Sequence, residues 1–263
     1  MLTLGLGDLP AQELEPRRYS QTPTGVNFLA AGYSVSSGNV LMDPALPIEG
    51  LDATIDAIYL RYARSIGLLG RSATLKVLAP WSAGDWKGTL EGEDFESRRF
   101  DSGAGDLRLA LEVNFLGAPA IDRQGMGSYD QRWIAGASLT IVAPTGDYES
   151  DRLLNLGSNR WTLRPEVGFS RAIGKWNLEG AASIWFFTDN NDFLGGNRLA
   201  QRELYVLKTH VVYSFRPGFF TSLGVGWGNG GQTVVNGEPR QTLQKNWRFL
   251  WMLAYPVTVS YTH

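Results

Sequence analysis

The stretch LRLALEVNF, residues 107–115, decides the fold of this chain. Its odd-numbered positions are all large and apolar: Leu107, Leu109, Leu111, Val113 and Phe115. Its even-numbered positions are mostly polar: Arg108, Ala110, Glu112 and Asn114. Because successive side chains of a strand point to opposite sides of a sheet, this pattern predicts a strand with one apolar and one polar face.

The same alternation recurs along most of the chain. It is visible in residues 27–35, 73–79, 133–143, 160–170, 176–186, 205–215, 219–227 and 244–253. Most of these segments are close to the roughly 9 to 11 residues that a tilted membrane strand needs. Residues 53–64 also predict a strand, although the sequence does not distinguish its faces. Pro165 lies within one strand and predicts a bulge or a local break there, because proline cannot donate to the ladder.

The connections between these segments favour a membrane barrel over a soluble sandwich. Short turns are predicted at residues 66–70, 172–175 and 216–218. Long polar connections are predicted at residues 80–105, 144–159, 189–202 and 228–242. Short turns at one end and long loops at the other are typical of outer-membrane barrels. Residues 117–131 form a medium-length exception on the short side.

Aromatic residues gather at both ends of the predicted strands. Near the short turns stand Phe169, Trp176, Tyr213, Phe215, Phe219 and Phe220. Near the long connections stand Trp185, Phe186, Phe187, Tyr205 and Trp227. Two such groups predict the aromatic girdles that a barrel places at the two membrane surfaces. The predicted fold is therefore an all-β, antiparallel transmembrane β-barrel, with its apolar face toward lipid.

Composition excludes several other classes of protein. The 24 basic and 26 acidic residues give a net charge of -2, which argues against a nucleic-acid partner. There is no cysteine and there are two histidines, so no metal site or cofactor is expected. No uncharged apolar run reaches the roughly 18 residues of a membrane helix. No catalytic residue is predicted and the chain is expected not to be an enzyme. Ser214 and His210 share a face, which leaves a barrel-embedded hydrolase as a remote alternative.

The polar face supplies the only candidate site. The residues expected to line the lumen and set its selectivity are Arg108, Glu112, Arg160, Arg164, Glu166, Glu179, Lys208 and His210. Arg248 is an open further candidate. Two interpretations remain for these charges: a structural network that props the wall, because buried charges need partners, or a constriction that filters solutes by charge and size.

Several segments of the chain form recognisable motifs: PTGDY at 144–148, LNLGSNRW at 154–161, RPEVG at 164–168 and WFFTDNNDF at 185–193, with ELEPR at 13–17 and GVNF at 25–28. Together they resemble the family labelled "MetA-pathway of phenol degradation". The resemblance covers nearly the whole chain. It implies an outer-membrane, transporter-like barrel of about 12 strands, often encoded near genes of aromatic degradation. The resemblance indicates the fold more strongly than the identity of the transported substrate.

These observations divide the chain into two parts. Residues 1–24 are expected to be the remnant of a signal peptide and an N-terminal extension, and residues 25–263 the barrel. We count about eleven strand-like segments, ending with residues 257–261, so the barrel is expected to lack its last strand or strands. The expected function is a bacterial outer-membrane channel for small, aromatic or apolar solutes. Its expected partners are lipid, the solute and the outer-membrane assembly machinery. A non-conducting structural or binding barrel remains the first alternative.

Overall fold

The structure is a computed structural model that describes residues 15–38, 48–90, 96–152 and 155–256. Within these ranges the regular structure is β, apart from a short 3₁₀ turn at Gly125–Ser128. The strands are β1 (Asn27–Gly38), β2 (Ile48–Leu68), β3 (Arg71–Leu90), β4 (Glu96–Ala104), β5 (Leu107–Leu116), β6 (Trp133–Ala143), β7 (Thr162–Ile173), β8 (Trp176–Phe187), β9 (Asn190–Phe193), β10 (Asn197–Gln201), β11 (Leu204–Arg216), β12 (Phe219–Gly230), β13 (Thr233–Val235), β14 (Glu238–Pro239) and β15 (Gln244–Ala254). No helix in the described ranges is both long and apolar enough to cross a membrane.

One curled antiparallel sheet contains most of these strands. Its order is β1-β2-β3-β5-β6-β7-β8-β11-β12-β15, and β4 pairs with the far half of β3. None of the described pairings joins β15 to β1, so the described sheet is a half-barrel. The predicted all-β, antiparallel fold is confirmed. The predicted strand at 257–261 and the signal remnant at 1–14 lie outside the described residues.

The connections differ at the two ends of the sheet, as predicted. The β2–β3, β7–β8 and β11–β12 turns are tight, and Gly70, Gly174 and Gly218 adopt the positive φ angles that such hairpin turns require. The polar connections at the other end are more regular than the sequence predicted. β3 and β4 extend the wall through much of residues 80–105, and β9, β10, β13 and β14 form a separate four-stranded sheet. Short polar strands were missed because only Phe193, Leu199 and Val235 among them form a buried cluster.

The two faces of the main sheet have opposite polarity. We call the face that carries Glu112, Glu166 and Lys208 the inner face, and these residues are 6%, 2% and 4% exposed. We call the opposite face the outer face; on it Leu109 is 40% and Phe115 52% exposed. Polar residues are therefore enclosed and apolar residues face outward, the reverse of a soluble protein.

Most of the aromatic residues predicted for the girdles lie on the outer face. Phe169, Trp176, Phe215 and Tyr205 are exposed. The prediction is wrong for Trp185 and Phe187, which pack on the inner face with Leu204 and Val206, and for Phe220, which lies there against Arg17. Because successive side chains of a strand point to opposite faces, only the middle ring of the run Trp185-Phe186-Phe187, that of Phe186, faces outward.

Pro165 interrupts one of the two ladders of β7, as predicted. The pairing of β7 with β8 passes through Leu163↔Phe186 and resumes at Glu166↔Ser183 in the same register. On the other side, Pro165 pairs with Leu139 of β6. The break is therefore a gap in the ladder rather than a bulge. Because the register is unchanged across the gap, Arg164 lies opposite Trp185, and its guanidinium stacks on the indole ring.

Candidate functional site: a charged inner face and the segment that crosses it

The chain before β1 lies against the inner face of the sheet. We call residues 15–26 the N-terminal segment. The amide of Arg17 donates to Oε2 of Glu179 at 2.7 Å, and the hydroxyl of Tyr19 donates to Oε1 of Glu166 at 3.0 Å. The hydroxyl of Ser170 donates to the carbonyl of Tyr19 at 2.5 Å. These bonds span more than 140 positions of sequence and fix the segment across β7 and β8.

Arg18 is the centre of the ionic network. Its Nε lies 2.8 Å from Oε1 of Glu112 and 3.3 Å from Oε1 of Glu166. Lys208 completes the network on one side, with Nζ 2.7 Å from Oε2 of Glu166, and Lys76 on the other, with Nζ 2.7 Å from Oε2 of Glu112. Although burial opposes the charged form, these carboxylates raise the pKa of Arg18 above its usual value.

Glu15 lies at the start of the segment against a second group of cations. Its Oε1 accepts a hydrogen bond from Nη2 of Arg61 at 2.7 Å and lies 3.6 Å from Nζ of Lys76. Its Oε2 lies 3.9 Å from Nη1 of Arg18. Burial works against ionisation, but the charges of Lys76, Arg61 and Arg18 hold the pKa of Glu15 well below its usual value.

Two glycines make room for the ring of Tyr19. A Cβ atom on Gly136 or on Gly168 would overlap this ring, so neither position tolerates a side chain while the segment is in place. Tyr19 is 3% exposed and packs with Ala118 and Ile134. Burial and the charge of Glu166 raise the pKa of its hydroxyl, which therefore stays a hydrogen-bond donor. The wall thus has a space at these two glycines that the ring of Tyr19 fills.

Two arginines stack on aromatic rings toward the loop end of the inner face. The guanidinium of Arg164 lies 4.8 Å from the ring centroid of Trp185, and that of Arg160 lies 5.0 Å from Phe187. Arg164 also donates to the hydroxyl of Thr140 at 3.1 Å, and Arg160 to the amide oxygen of Gln201 at 2.7 Å. Stacking and hydrogen bonding hold both side chains in fixed positions.

All eight residues predicted for the lumen lie on the inner face. Seven of them are buried: Glu112, Arg160, Arg164, Glu166, Glu179, Lys208 and His210. Arg108 is half-buried, and its side chain has no hydrogen-bond or ion-pair partner among the described residues. The structure brings Glu112, Glu166 and Lys208 into one network through Arg18, whereas Glu179 pairs with Asn177 and with the backbone of Arg17. Their role in selectivity stays a prediction.

Sequence reasoning missed Glu15, Arg18, Arg61 and Lys76. Lys76 could have been found, because it occupies the polar side of the alternation in residues 73–79. Arg61 could not have been found, because β2 carries Tyr59 on one face and Tyr62 on the other, so that the sequence does not distinguish the two faces by polarity. Glu15 and Arg18 were assigned to an extension outside the barrel. No periodicity identifies a segment that binds the inner face through irregular contacts.

His210 and Ser214 do not form a catalytic pair. They are four positions apart on β11, which separates them by about 13 Å along the strand. The ring of His210 instead packs over Gly224, where a Cβ atom would approach its Cδ2 to 2.5 Å. In the described residues no group of acidic and histidine side chains has the arrangement of a metal site.

Two cavities flank the N-terminal segment. The larger has a volume of about 270 Å³ and is lined by Arg61, Lys76 and Glu112 together with Phe28 and Ala63. The smaller, of about 40 Å³, adds Arg108, Arg164 and Thr140. Both are bordered by Glu15 and Arg18. Removal of the segment would therefore join them into one space.

Comparisons with known proteins agree with this geometry. The family model described as "Putative MetA-pathway of phenol degradation" matches residues 29–258. A crystal structure of an outer membrane channel from Pseudomonas putida F1 matches with a TM-score of 0.70 and 23% identity, over 90% of this chain and 84% of that chain. No curated protein matches the chain. At this identity the structural likeness speaks for the fold alone.

Proposed function

Because this chain belongs to the family described as putative MetA-pathway of phenol degradation, we propose that it forms a passage for small solutes through the bacterial outer membrane. The fold it shares with a protein described as an outer membrane channel supports this proposal. The family description adds aromatic compounds as a candidate solute class. The expected partners are lipid, the solute and the outer-membrane assembly machinery. We propose transport rather than catalysis.

One observation carries the proposal: the sheet encloses its charges and exposes its apolar side chains. Leu29, Val167 and Phe249 are each more than half exposed on the outer face, while the inner face holds the network around Arg18. Such an exposed apolar band is costly in water and is satisfied by hydrocarbon. A polar inner face is what a hydrated passage requires.

The N-terminal segment decides how open this passage is. Its contacts with Glu112, Glu166 and Glu179 leave it lying across the inner face. A segment held by ion pairs and hydrogen bonds in this way also favours the alternative function, a barrel that conducts nothing. The two functions differ in whether the segment can leave the inner face, which a reversible crosslink can control.

The chain contains no cysteine, so no native thiol competes with the two introduced ones. The side-chain amide of Asn114 donates to the backbone carbonyl of Ser20 at 3.3 Å, so Ser20→Cys and Asn114→Cys introduce one thiol on the segment and one on the wall at two residues in contact. Single-channel currents in planar bilayers and solute flux in liposome swelling would be measured for the purified full chain. We expect both to fall on oxidation of the double variant and to recover on reduction, with each single variant as control.

One result would contradict the passage, and another would contradict the role of the segment. Absence of current and of solute flux in both the oxidised and the reduced state would favour the non-conducting barrel. Flux that is present but indifferent to the crosslink would mean that the segment lies outside the permeation path.

A further inference from the structure

Cations outnumber carboxylates on the described inner wall. The inward-facing basic residues of the wall are Arg61, Lys76, Arg108, Arg160, Arg164, Lys208 and Arg248. The inward-facing acidic residues with described side chains are Glu112, Glu166 and Glu179, together with Asp101 of β4, which forms an ion pair with Arg152. A low-dielectric wall that carries excess charge of one sign concentrates solutes of the opposite sign. The inner wall thus favours anions. The sequence does not reveal this preference, because basic and acidic residues are mixed along the polar face.

Glu15 is a carboxylate that already occupies part of this cationic surface. It reaches Arg61 at 2.7 Å and Lys76 at 3.6 Å, and it belongs to the N-terminal segment rather than to the wall. Planar guanidinium groups bind carboxylates through charge-assisted hydrogen bonds, and any carboxylate of similar reach can make the same contacts. Departure of the segment would leave Arg61 without this carboxylate.

The space beside Glu15 combines this charge with an apolar wall. Phe28, Ala30 and Ala63 line the larger cavity next to Arg61 and Lys76. Its volume of about 270 Å³ is just below the roughly 300 Å³ at which small-molecule sites usually begin. On the loop side, the side chain of Arg108 has no hydrogen-bond or ion-pair partner among the described residues. A small molecule with an aromatic ring and one carboxylate matches this combination.

We propose that the passage selects small aromatic carboxylates, and that Arg61 and Lys76 form a carboxylate site which Glu15 occupies until a solute carboxylate replaces it. This inference rests on the proposed function. Arg108 adds a further cation in the smaller cavity. Glu15 acts as an internal competitor, which lowers the apparent affinity of the site by the fraction of time that it is occupied.

Binding to the purified full chain in detergent tests the site without requiring flux. The probe is benzoate, and benzamide is the neutral analogue of nearly the same shape. We expect calorimetric titration to detect benzoate and not benzamide. Arg61→Gln and Lys76→Gln should each weaken benzoate binding about tenfold, since each removes a charged partner. Arg132→Gln, at an exposed turn, is the matched control and should change nothing.

A second pair of variants tests the competition. Glu15→Gln should strengthen benzoate binding about tenfold, if Glu15 fills the site nine-tenths of the time. Glu179→Gln makes the same substitution on the inner face at a position that contacts Arg17 and Asn177 instead, and its effect should be much smaller. Equal effects of the two variants would show that Glu15 acts only through the general electrostatic field of the inner face. They would overturn the assignment of Glu15 as a competitor for the carboxylate site.

Flux separates this inference from the proposed function. Benzoate binding that responds to Arg61→Gln but is accompanied by no current would overturn the passage and support the site. Current that prefers cations in a potassium chloride gradient, or equal binding of benzoate and benzamide, would overturn the carboxylate site and leave the passage standing.

Discussion

The inner and outer faces of β7 carry side chains of opposite character on one strand. Arg164 and Glu166 are 3% and 2% exposed on the inner face, whereas Val167 and Phe169 are 58% and 46% exposed on the outer face. In a soluble protein the apolar set would form the core. Here the wall has no apolar core of its own on the outer side. We infer that lipid supplies the apolar contacts on one face, while ion pairs hold the other face to the N-terminal segment.

The largest expected effect comes from breaking the ionic network of the inner face. Glu166→Ala leaves Arg18 and Lys208 without their shared carboxylate, and a buried charge that loses its partner costs about 3–5 kcal/mol. We expect the free energy of unfolding in detergent to fall by that order. The double variant with Lys208→Ala should recover part of the loss; a double variant worse than Glu166→Ala would contradict the pairing.

A matched pair of arginines distinguishes the two faces. Leu111→Arg places a charge on the outer face, and a charge near mid-membrane on a barrel costs roughly 2–4 kcal/mol. Ala110→Arg places the same charge on the inner face beside the smaller cavity and should cost less. Folding efficiency into liposomes is the measurement. Equal damage from the two variants would reverse the assignment of the faces.

Sequence alone could predict the faces, because the alternation in β5, β7 and β11 is nearly unbroken. It could also place the turns at Gly174 and Gly218. It could not predict the contacts of the N-terminal segment, since Glu15, Arg18 and Tyr19 bind residues far away in sequence without any periodic signal. The two glycines that accommodate Tyr19 illustrate this limit: Gly136 and Gly168 look like ordinary strand glycines until the ring beside them is known.

Gly168→Ala should displace the segment without changing any charge. Its Cβ would overlap the ring of Tyr19, and overpacking typically costs about 1–3 kcal/mol. We expect trypsin to cleave after Arg17 and Arg18 faster in this variant, because the segment leaves the inner face. The double variant with Tyr19→Ala should be cleaved no faster than Tyr19→Ala alone. If Gly168→Ala and Tyr19→Ala had independent, additive effects on the rate of cleavage, the introduced Cβ would instead act on the wall, through the neighbouring carbonyl of Gly180.

The smallest expected effect is the pH dependence of the Glu15 contact. Because Lys76 and Arg61 keep the pKa of Glu15 well below its usual value despite burial, its ion pairs stabilise the segment at every pH above the unfolded value of about 4.3. That contribution is lost only as the pH falls through the lowered pKa. The difference in thermal midpoint between the wild-type chain and Glu15→Gln should thus be constant from pH 5 to pH 8 and shrink in stronger acid. Its size should correspond to about 1 kcal/mol, as for a partly exposed ion pair. A difference that disappears between pH 6 and pH 7 would assign the effect to another group and would separate Glu15 from the cations of the inner face.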